Sequence, residues 1–315
     1  MIYLAPIQGF TDYIYRKVYA GIFSSVDAYF IPYVTVQNEQ IVRKYEREIL
    51  PGNNLYGRAV PQILVRDAQE TELLGSILKN YGYAEVNLNL GCPYPMVTNR
   101  GRGSALLQNP ESLKPILDTF FEQFKLKLSV KLRAGLNDPS EIEQVISVLN
   151  DYPLSEIIVH ARVAKQLYKG TVNEMAFQIA LERSEHPVVY NGDIFSVDDF
   201  QRRSEQFSAV SDWMLGRGVL MNVFLPAEIK GWRFTDAEKR FTLQHFHAGI
   251  VEAYLQAADN PGNALNKLKQ FWIYFSLHFD DHARIFKKIK KSKSITDVQR
   301  EAMLAFRDAT LKQTC

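Results

Sequence analysis

Tyr83-Ala84-Glu85-Val86-Asn87-Leu88-Asn89-Leu90-Gly91-Cys92-Pro93-Tyr94-Pro95 runs from a strand-like segment into a forced stop and delivers a thiol to that stop. Apolar and polar residues alternate through Ala84–Leu90, the period of a β-strand. Pro93 and Pro95 lack the backbone N–H that a ladder needs, so the strand ends before them. A lone cysteine is usually a small apolar filler. This one is held between Gly91 and Pro93 on a turn at a strand's C-terminal tip, where α/β folds collect function. The other strands decide between the two readings.

Working outward, seven more β-rich segments accompany it: Ile2–Ala5, Ala28–Val34, Pro61–Val65, Leu128–Leu132, Glu156–His160, Val188–Asn191 and Trp213–Leu215. Helical periodicity marks Thr11–Ala20, Asp67–Asn80, Pro110–Phe124, Pro139–Leu149, Glu174–Arg183 and Ser196–Arg203, while Gln37–Tyr56 matches no template. Strands alternating with helices predict a parallel sheet. Eight such repeats in about 215 residues predict a closed (β/α)8 TIM barrel. No Gly-x-Gly-x-x-Gly follows the first strand, against a dinucleotide-binding open sheet. From Ala237 onward the chain reads as several helices, with Leu265, Leu268, Trp272 and Phe275 at core spacing. The expected division is therefore a barrel over residues 1–236 and a helical domain over 237–315.

An apolar content of 46% in 315 residues supports a large core, and no apolar run approaches a membrane span. The N-terminus lacks a secretory layout, so a cytoplasmic protein is expected. Only Cys92 and Cys315 are present, which suits a reducing compartment, and no Cys/His spacing suggests zinc. His245 and His247, two apart in a helix, point to different faces and read as solvated or core residues. The net charge of +2 is uneven: residues 240–315 carry +5 and the rest −3. That asymmetry points to a polyanion partner for the C-terminal part, although Lys287, Lys288, Lys290, Lys291 and Lys293 taken alone form an ordinary solvated face.

Chemistry-bearing residues gather where the predicted strands end. The first closes on Pro6-Ile7-Gln8, a rigid turn whose amides can face a flat ligand. Gln62 puts an amide into an apolar run. Lys131 and Arg133 share one face of the fifth strand with Ser129, and an inward lysine there requires an anion or electron-rich partner. The sixth ends in His160-Ala161-Arg162, the seventh in Asn191-Gly192-Asp193 and the eighth in Gly216-Arg217-Gly218. Glycine loops after strands seven and eight are where this fold holds phosphate. A phosphate there, Lys131 and His160 along one wall and Gln62 opposite outline a flavin mononucleotide pocket. A cation beside the pyrimidine side of the isoalloxazine stabilises the reduced ring's negative charge.

In these motifs the sequence resembles the tRNA-dihydrouridine synthase family. The resemblance rests on Ala5-Pro6-Ile7-Gln8-Gly9, Asn87-Leu88-Asn89-Leu90-Gly91-Cys92-Pro93, Gly103-Ser104-Ala105-Leu106-Leu107, Ser129-Val130-Lys131-Leu132-Arg133, Val159-His160-Ala161-Arg162 with Tyr168 and Gly170, Asn191-Gly192-Asp193 and Gly216-Arg217-Gly218. It covers about residues 1 to 220 well and the remainder loosely.

The resemblance implies an FMN-dependent reductase of particular tRNA uridines, with NADPH or NADH as electron donor and no obligatory protein partner or membrane. It implies hydride from the flavin N5 to C6 of the uracil and a proton from Cys92 to C5. Pro6, Ile7, Gln8, Gln62, Lys131, His160, Asn191, Gly192, Asp193, Gly216 and Arg217 then contact FMN. Asn89, Arg133, Arg162, Lys267 and Lys269 face the substrate, the last two from a helical domain that binds tRNA. Many members carry a lysine where this chain has Tyr94-Pro95-Met96, and a glycine where it has Ala161. Three rivals remain at this level. One is an FMN barrel reducing a small pyrimidine, of the dihydroorotate or dihydropyrimidine type; another is an RNA-binding barrel without cofactor; the third is a flavin-free barrel acting on sugar phosphates.

Overall fold

A computed structural model describes residues 1–312, apart from the side chain of Arg43. Its eight long-range parallel strands are β1 (Ile2–Leu4), β2 (Ala28–Val34), β3 (Arg58–Ile63), β4 (Glu85–Leu90), β5 (Lys127–Gly135), β6 (Glu156–Val163), β7 (Val188–Tyr190) and β8 (Trp213–Leu215). Each pairs with the next in sequence, and β8 closes onto β1 through Ile2↔Trp213 and Leu4↔Leu215. This is the TIM barrel that the strand and helix alternation predicts. Among the described residues, no helix is long and apolar enough to cross a membrane.

Because side chains alternate along a strand, every second residue points into the barrel. From β1, β2, β7 and β8 the interior receives Tyr3, Ala28, Phe30, Val189 and Met214, which form one apolar cluster with Val60 and Ile158. Beyond Val60 and Ile158, the inward positions of β3 to β6 are polar: Gln62, Asn87, Asn89, Ser129, Lys131, Arg133, His160 and Arg162. Register brings them level, with Gln62 opposite Asn87, Asn89 opposite Lys131 and Arg133 opposite His160. At the N-terminal end the barrel is plugged by Tyr3, whose hydroxyl donates to Glu156 at 3.1 Å, and by the Arg58–Glu85 ion pair at 2.6 Å.

Strand ends differ from expectation in both directions: the first, third and seventh stop at Leu4, Ile63 and Tyr190, one or two residues short of the expected ends. β3 starts at Arg58 rather than Pro61, and β5 and β6 run on to Gly135 and Val163, with a register shift after Arg133. The unassigned Gln37–Tyr56 region holds a hairpin of Val36–Gln37 with Gln40–Ile41 and a helix, Arg43–Ile49. Asn38 and Glu39 make its turn at φ 51° and 58°. That is a left-handed pair without the glycine that usually announces one.

The C-terminal helices are Asp236–Ala257, Pro261–Phe275, His282–Lys291 and Ile295–Asp308. Thr235 caps the first by accepting from Glu238 N at 3.2 Å, so this helix starts one residue before the expected 236/237 division. One hydrophobic core runs through the barrel and the C-terminal helices. Phe246 meets the rings of Tyr15 and Tyr19 edge-on at 5.6 and 6.1 Å, joining this helix to Tyr13–Ile22 of the barrel. Leu268, Trp272 and Phe275 are buried as their spacing predicts. His247 is a core residue accepting from the Trp272 indole at 3.2 Å, and burial pushes it down to about 4, whereas His245 is exposed. Cys315 lies outside the described residues.

Candidate active site

At the top of β3 to β5, polar side chains form one continuous hydrogen-bonded row. Asn87 Nδ2 donates to Ser129 Oγ at 2.8 Å, Gln62 Nε2 to Asn87 Oδ1 at 2.7 Å and Asn89 Nδ2 to Gln62 Oε1 at 2.6 Å. Asn89 Oδ1 then accepts from the amides of Gly91 and Cys92 at 3.0 and 2.9 Å. A buried amide left unpaired costs about 1–3 kcal/mol, so the row fixes its members' orientations. It leaves Gln62 and Asn89 one N–H each for a ligand. Asn89 is thus chiefly the residue that shapes the Cys92 turn.

From the other side, Ser104 N and Oγ both donate to Cys92 O, at 3.1 and 3.0 Å. Gly103 enables that approach: at φ +62°, an added Cβ would stand 2.8 Å from the same carbonyl. Cys92 is 8% exposed and packs with Leu64, Val97 and Tyr33. Burial pushes the thiol up from its ordinary value, and the nearby Tyr94 N–H, Tyr33 hydroxyl and Arg133 charge oppose that shift only in part. The group is a protonated thiol at neutral pH.

One cavity is lined by Pro6, Ile7, Lys131, His160, Asn191, Gly192, Asp193, Gly216 and Arg217, which brings together residues from β1, β5, β6, β7 and β8. Of the expected cofactor contacts, Gln62 stands behind this wall in the polar row. Gln8 is exposed and lines the adjoining cavity. Among the described residues, the Lys131 ammonium has no hydrogen-bonding partner although it points into this cavity. Burial first, then the Arg133 charge, lower it to about 7. His160 is pushed well below its ordinary value by burial and by the charges of Lys131, Arg133, Arg162 and Arg217. Its Nε2 lies 3.1 Å from Arg162 Nη1, a permanent donor. The ring is therefore neutral, with its proton assigned to Nδ1.

The far end of the cavity is a cradle for an anion. Arg217 opens the short helix Arg217–Met221, and its cap Gly216 has no side chain to satisfy the first-turn amides. The Arg217 guanidinium lies between the Tyr168 and Phe195 rings, 4.6 and 5.2 Å from their centroids, and donates to Asp193 at 2.9 Å. An unpartnered ammonium, a neutral imidazole and an N-terminal amide cradle in one cleft fit a flat, electron-accepting ring carrying one phosphate.

The expected substrate contacts divide. Arg133 donates to Gly91 O and Val163 O, both at 3.0 Å, and so ties the thiol-bearing turn to β6. Arg162 is 1% exposed and spends its guanidinium on Asp193, on Gly170 O at 2.6 Å and on His160. These bonds hold it in the wall of the cavity. Lys267 pairs with buried Asp12 at 3.1 Å, where Tyr254 also donates to that carboxylate at 2.9 Å. Lys269 stands partly exposed on the same helix. Tyr33, Tyr45 and Phe195 also belong to the site. Nothing in the sequence separated them from ordinary core aromatics.

A second cavity of about 650 Å³ opens between the β1 and β2 loops and the first two C-terminal helices, reached from the thiol through Tyr33, which packs against Cys92 and lines it. Gln8, Tyr33, Tyr45, Met96, Lys267 and Gln270 are among its lining residues. Met96, one of its lining residues, and Tyr94 are both exposed.

The family described as dihydrouridine synthase matches the chain over residues 3–306. A tRNA-dihydrouridine(16) synthase of Cupriavidus necator is 30% identical over 246 residues, covering 73% of each chain. One of Neisseria meningitidis serogroup A is 26% identical over 313 residues, covering 95% of this chain and 92% of its own. Among solved structures, morphinone reductase superposes with a TM-score of 0.55 at 11% identity, over 78% of this chain and 88% of its own, a likeness of fold.

Proposed function

The chain belongs to the dihydrouridine synthase family, a group of flavin-dependent enzymes that reduce uridines in tRNA, and from that premise we propose how its residues divide the work. The flavin is FMN, held by Pro6, Ile7, Gln62, Lys131, His160, Asn191, Gly192, Asp193, Gly216 and Arg217, with Gln8 at its edge. One anion cradle rather than two supports a mononucleotide. When bound, the flavin supplies hydride to C6 of the uracil, and a nicotinamide dinucleotide replenishes the electrons.

The chain's own residues supply the rest. The Cys92 thiol gives its proton to C5 of the uracil, so a hydride and a proton together saturate the C5–C6 bond. A thiol suits that task because it is protonated at neutral pH, when Asp or Glu would be ionised. Asn89 and Ser104 fix the turn from opposite sides, which limits where Sγ can stand. Lys131 and the neutral His160 line the polar edge of the ring, one as a cation and one as a donor. The target base leaves its stack to enter the second cavity, a cost of a few kcal/mol that is smallest in a tRNA loop. Partly exposed Lys269 and the exposed lysines of His282–Lys291 contact phosphates and position the RNA without reading sequence.

What supports this reading is a buried thiol whose turn is fixed by Asn89, the strand partner of Lys131, whose unpartnered ammonium lines the cleft that also holds the anion cradle. The similarity to two synthases named for position 16 supports a uridine at that position as the target. Mass-spectrometric mapping of tRNA from cells lacking the protein tests it. Loss of dihydrouridine at position 16 alone is expected; loss at another position would overturn the site assignment, and no loss would overturn the reading.

A further inference from the structure

After Cys92 the chain makes an excursion through residues 93–102 and returns to hold Cys92 O with Ser104. Within that excursion only Val97 and Arg102 are buried. Val97 packs with Cys92 and Leu64. Arg102 is anchored on the loops after β2 and β3. Its Nε donates to Glu70 Oε2 at 2.9 Å and its Nη2 to Glu70 Oε1, and the same Nη2 donates to Val36 O at 3.1 Å. Glu70 stands in the first turn of the helix Ala68–Asn80 and also accepts from Arg66 N at 3.1 Å. Val36 opens the hairpin that follows β2. One guanidinium thus ties the thiol-bearing loop to two neighbouring loops, and the side chains of the ion pair are 7% and 8% exposed.

A buried ion pair is a poor source of stability, since an apolar pair of similar volume often serves as well or better. What a planar, two-pronged bond fixes is direction. Arg102 is followed by Gly103, whose added Cβ would stand 2.8 Å from Cys92 O, and by Ser104, which donates to that oxygen twice. A shift of Arg102 therefore passes directly to the turn that holds the sulfur. Arg102, Glu70 and Val36 line another cavity, of about 870 Å³, so the pair stands apart from the cofactor cleft and from the cavity beside Tyr33. We propose that Arg102, seated by Glu70, is a positioning residue for the Cys92 thiol, an inference that rests on Cys92 being the acid of the reaction. It acts through Gly103 and Ser104 on the carbonyl side of the turn, opposite the grip of Asn89 on the amides.

The double variant Arg102→Met/Glu70→Leu exchanges the ion pair for apolar side chains and so separates position from stability. Arg102→Lys keeps the charge and loses the fork. Both are compared with wild type as holoenzymes, reduced with a nicotinamide dinucleotide, mixed with excess unmodified tRNA and followed through a single turnover. In the double variant the rate should fall by about 10²-fold, the cost of misplacing a reacting group by an ångström. Its thermal midpoint should stay close to that of wild type, and Arg102→Lys should lose less rate. Flavin reduction without tRNA, and the tRNA concentration giving half the maximal rate, should be unchanged in both. Alkylation by iodoacetamide, read by mass spectrometry on the peptide containing Cys92, should be faster by about tenfold as the sulfur leaves its enclosed seat. Single turnover at the wild-type rate, alkylation at the wild-type rate, or an equal slowing of flavin reduction overturns the proposal. If the double variant does not fold, Arg102→Lys decides by the same readings. Cys92→Ala run in parallel keeps the two ideas apart. If it reduces tRNA normally, the acid assignment fails; if it is inactive while both Arg102 variants are normal, the positioning role alone fails.

Discussion

Asn89 Oδ1 lies 2.9 Å from the Cys92 amide nitrogen, so a side chain inside the barrel, rather than the loop alone, decides where the thiol stands. The same oxygen holds Gly91 N at 3.0 Å, and the Asn89 amide group is anchored to Gln62 at 2.6 Å. Strand register therefore reaches the reacting sulfur through two side chains. Asn89→Ala frees two amides and strands Gln62 Oε1. The expected result is a fall in tRNA reduction of about 10–100-fold, matching about 1–3 kcal/mol of lost orientation. Flavin content, read from the visible absorbance, should stay near wild type. Loss of flavin with retained turnover per bound flavin would mean that Asn89 serves the cofactor instead.

The Cys92 thiol is held up by burial, and its role as acid requires the proton. Its folded value lies above that of an ordinary thiol, about 8.5, so the protonated fraction persists to higher pH. The single-turnover rate of tRNA reduction should therefore be flat through neutrality and begin to fall only above the usual thiol range. Cys92→Ala should lose about 10²–10⁴-fold in that rate while nicotinamide still reduces its flavin. An alkaline limb unchanged in Cys92→Ala would assign the titration to another group.

The eight strands were legible because alternation and punctuation by glycine and proline are local signals, as at Leu90-Gly91-Cys92-Pro93. The cofactor cleft was legible for a related reason, since a barrel converts strand tips far apart in sequence into neighbours. What stayed hidden depended on pairing across the fold. Asn87, Gln62 and Ser129 form one row only once the β3–β4 and β4–β5 registers are set. Arg162 was expected to face the substrate, and nothing in its own segment revealed its ion pair with Asp193, 31 residues on. The Asn38-Glu39 turn escaped because its left-handed pair contains no glycine.

With Lys131 beside the cofactor as proposed, cofactor binding should depend on pH. Its value of about 7 in the protein without ligand contrasts with an ordinary 10.5, because burial and Arg133 disfavour the charge. An electron-rich or anionic ligand beside it restores the charge, so binding takes up a proton above neutrality. Affinity for FMN, measured by fluorescence quenching, should be highest below pH 7 and weaken as pH rises through 7 to 9. In Lys131→Met it should be weaker and lose that slope. The apoprotein shows the opposite sign: between pH 7 and about 10.4 the unfolded chain binds more protons at this residue, so stability from Lys131 rises with pH. A pH-independent FMN affinity in wild type would refute the placement.

Asp193 joins the anion cradle to the His160 wall by accepting from Arg217 at 2.9 Å and from buried Arg162. Asp193→Ala leaves Arg162 charged, 1% exposed and without its carboxylate. Breaking such a pair typically costs about 3–5 kcal/mol. The thermal midpoint should drop by several degrees even without flavin, and FMN affinity should fall further as Arg217 loses its anchor. A thermal midpoint equal to wild type would show that Gly170 O and His160 suffice to hold Arg162.

Lys267 and Lys269 are two residues apart on one helix, yet the structure gives them different work. Lys267 is committed to Asp12, a buried carboxylate that also accepts from Tyr254 and from Tyr15 N at 3.1 Å. That carboxylate caps a barrel helix, so the lysine clamps the helical region onto the barrel. Removing it leaves Asp12 short of a counter-charge, and Lys267→Met should lower thermal stability with a modest effect on the salt dependence of tRNA binding. Lys269 is partly exposed, on the surface expected to meet RNA. Lys269→Ala should leave stability unchanged, weaken tRNA binding for all sequences alike and reduce the slope of log K against log salt by about 1. Filter binding across a salt series, with melting curves of both variants, separates the two roles. If Lys267→Met changes the slope by a full unit at unchanged stability, its ion pair with Asp12 yields to phosphate in the complex, and the clamp is not its main function.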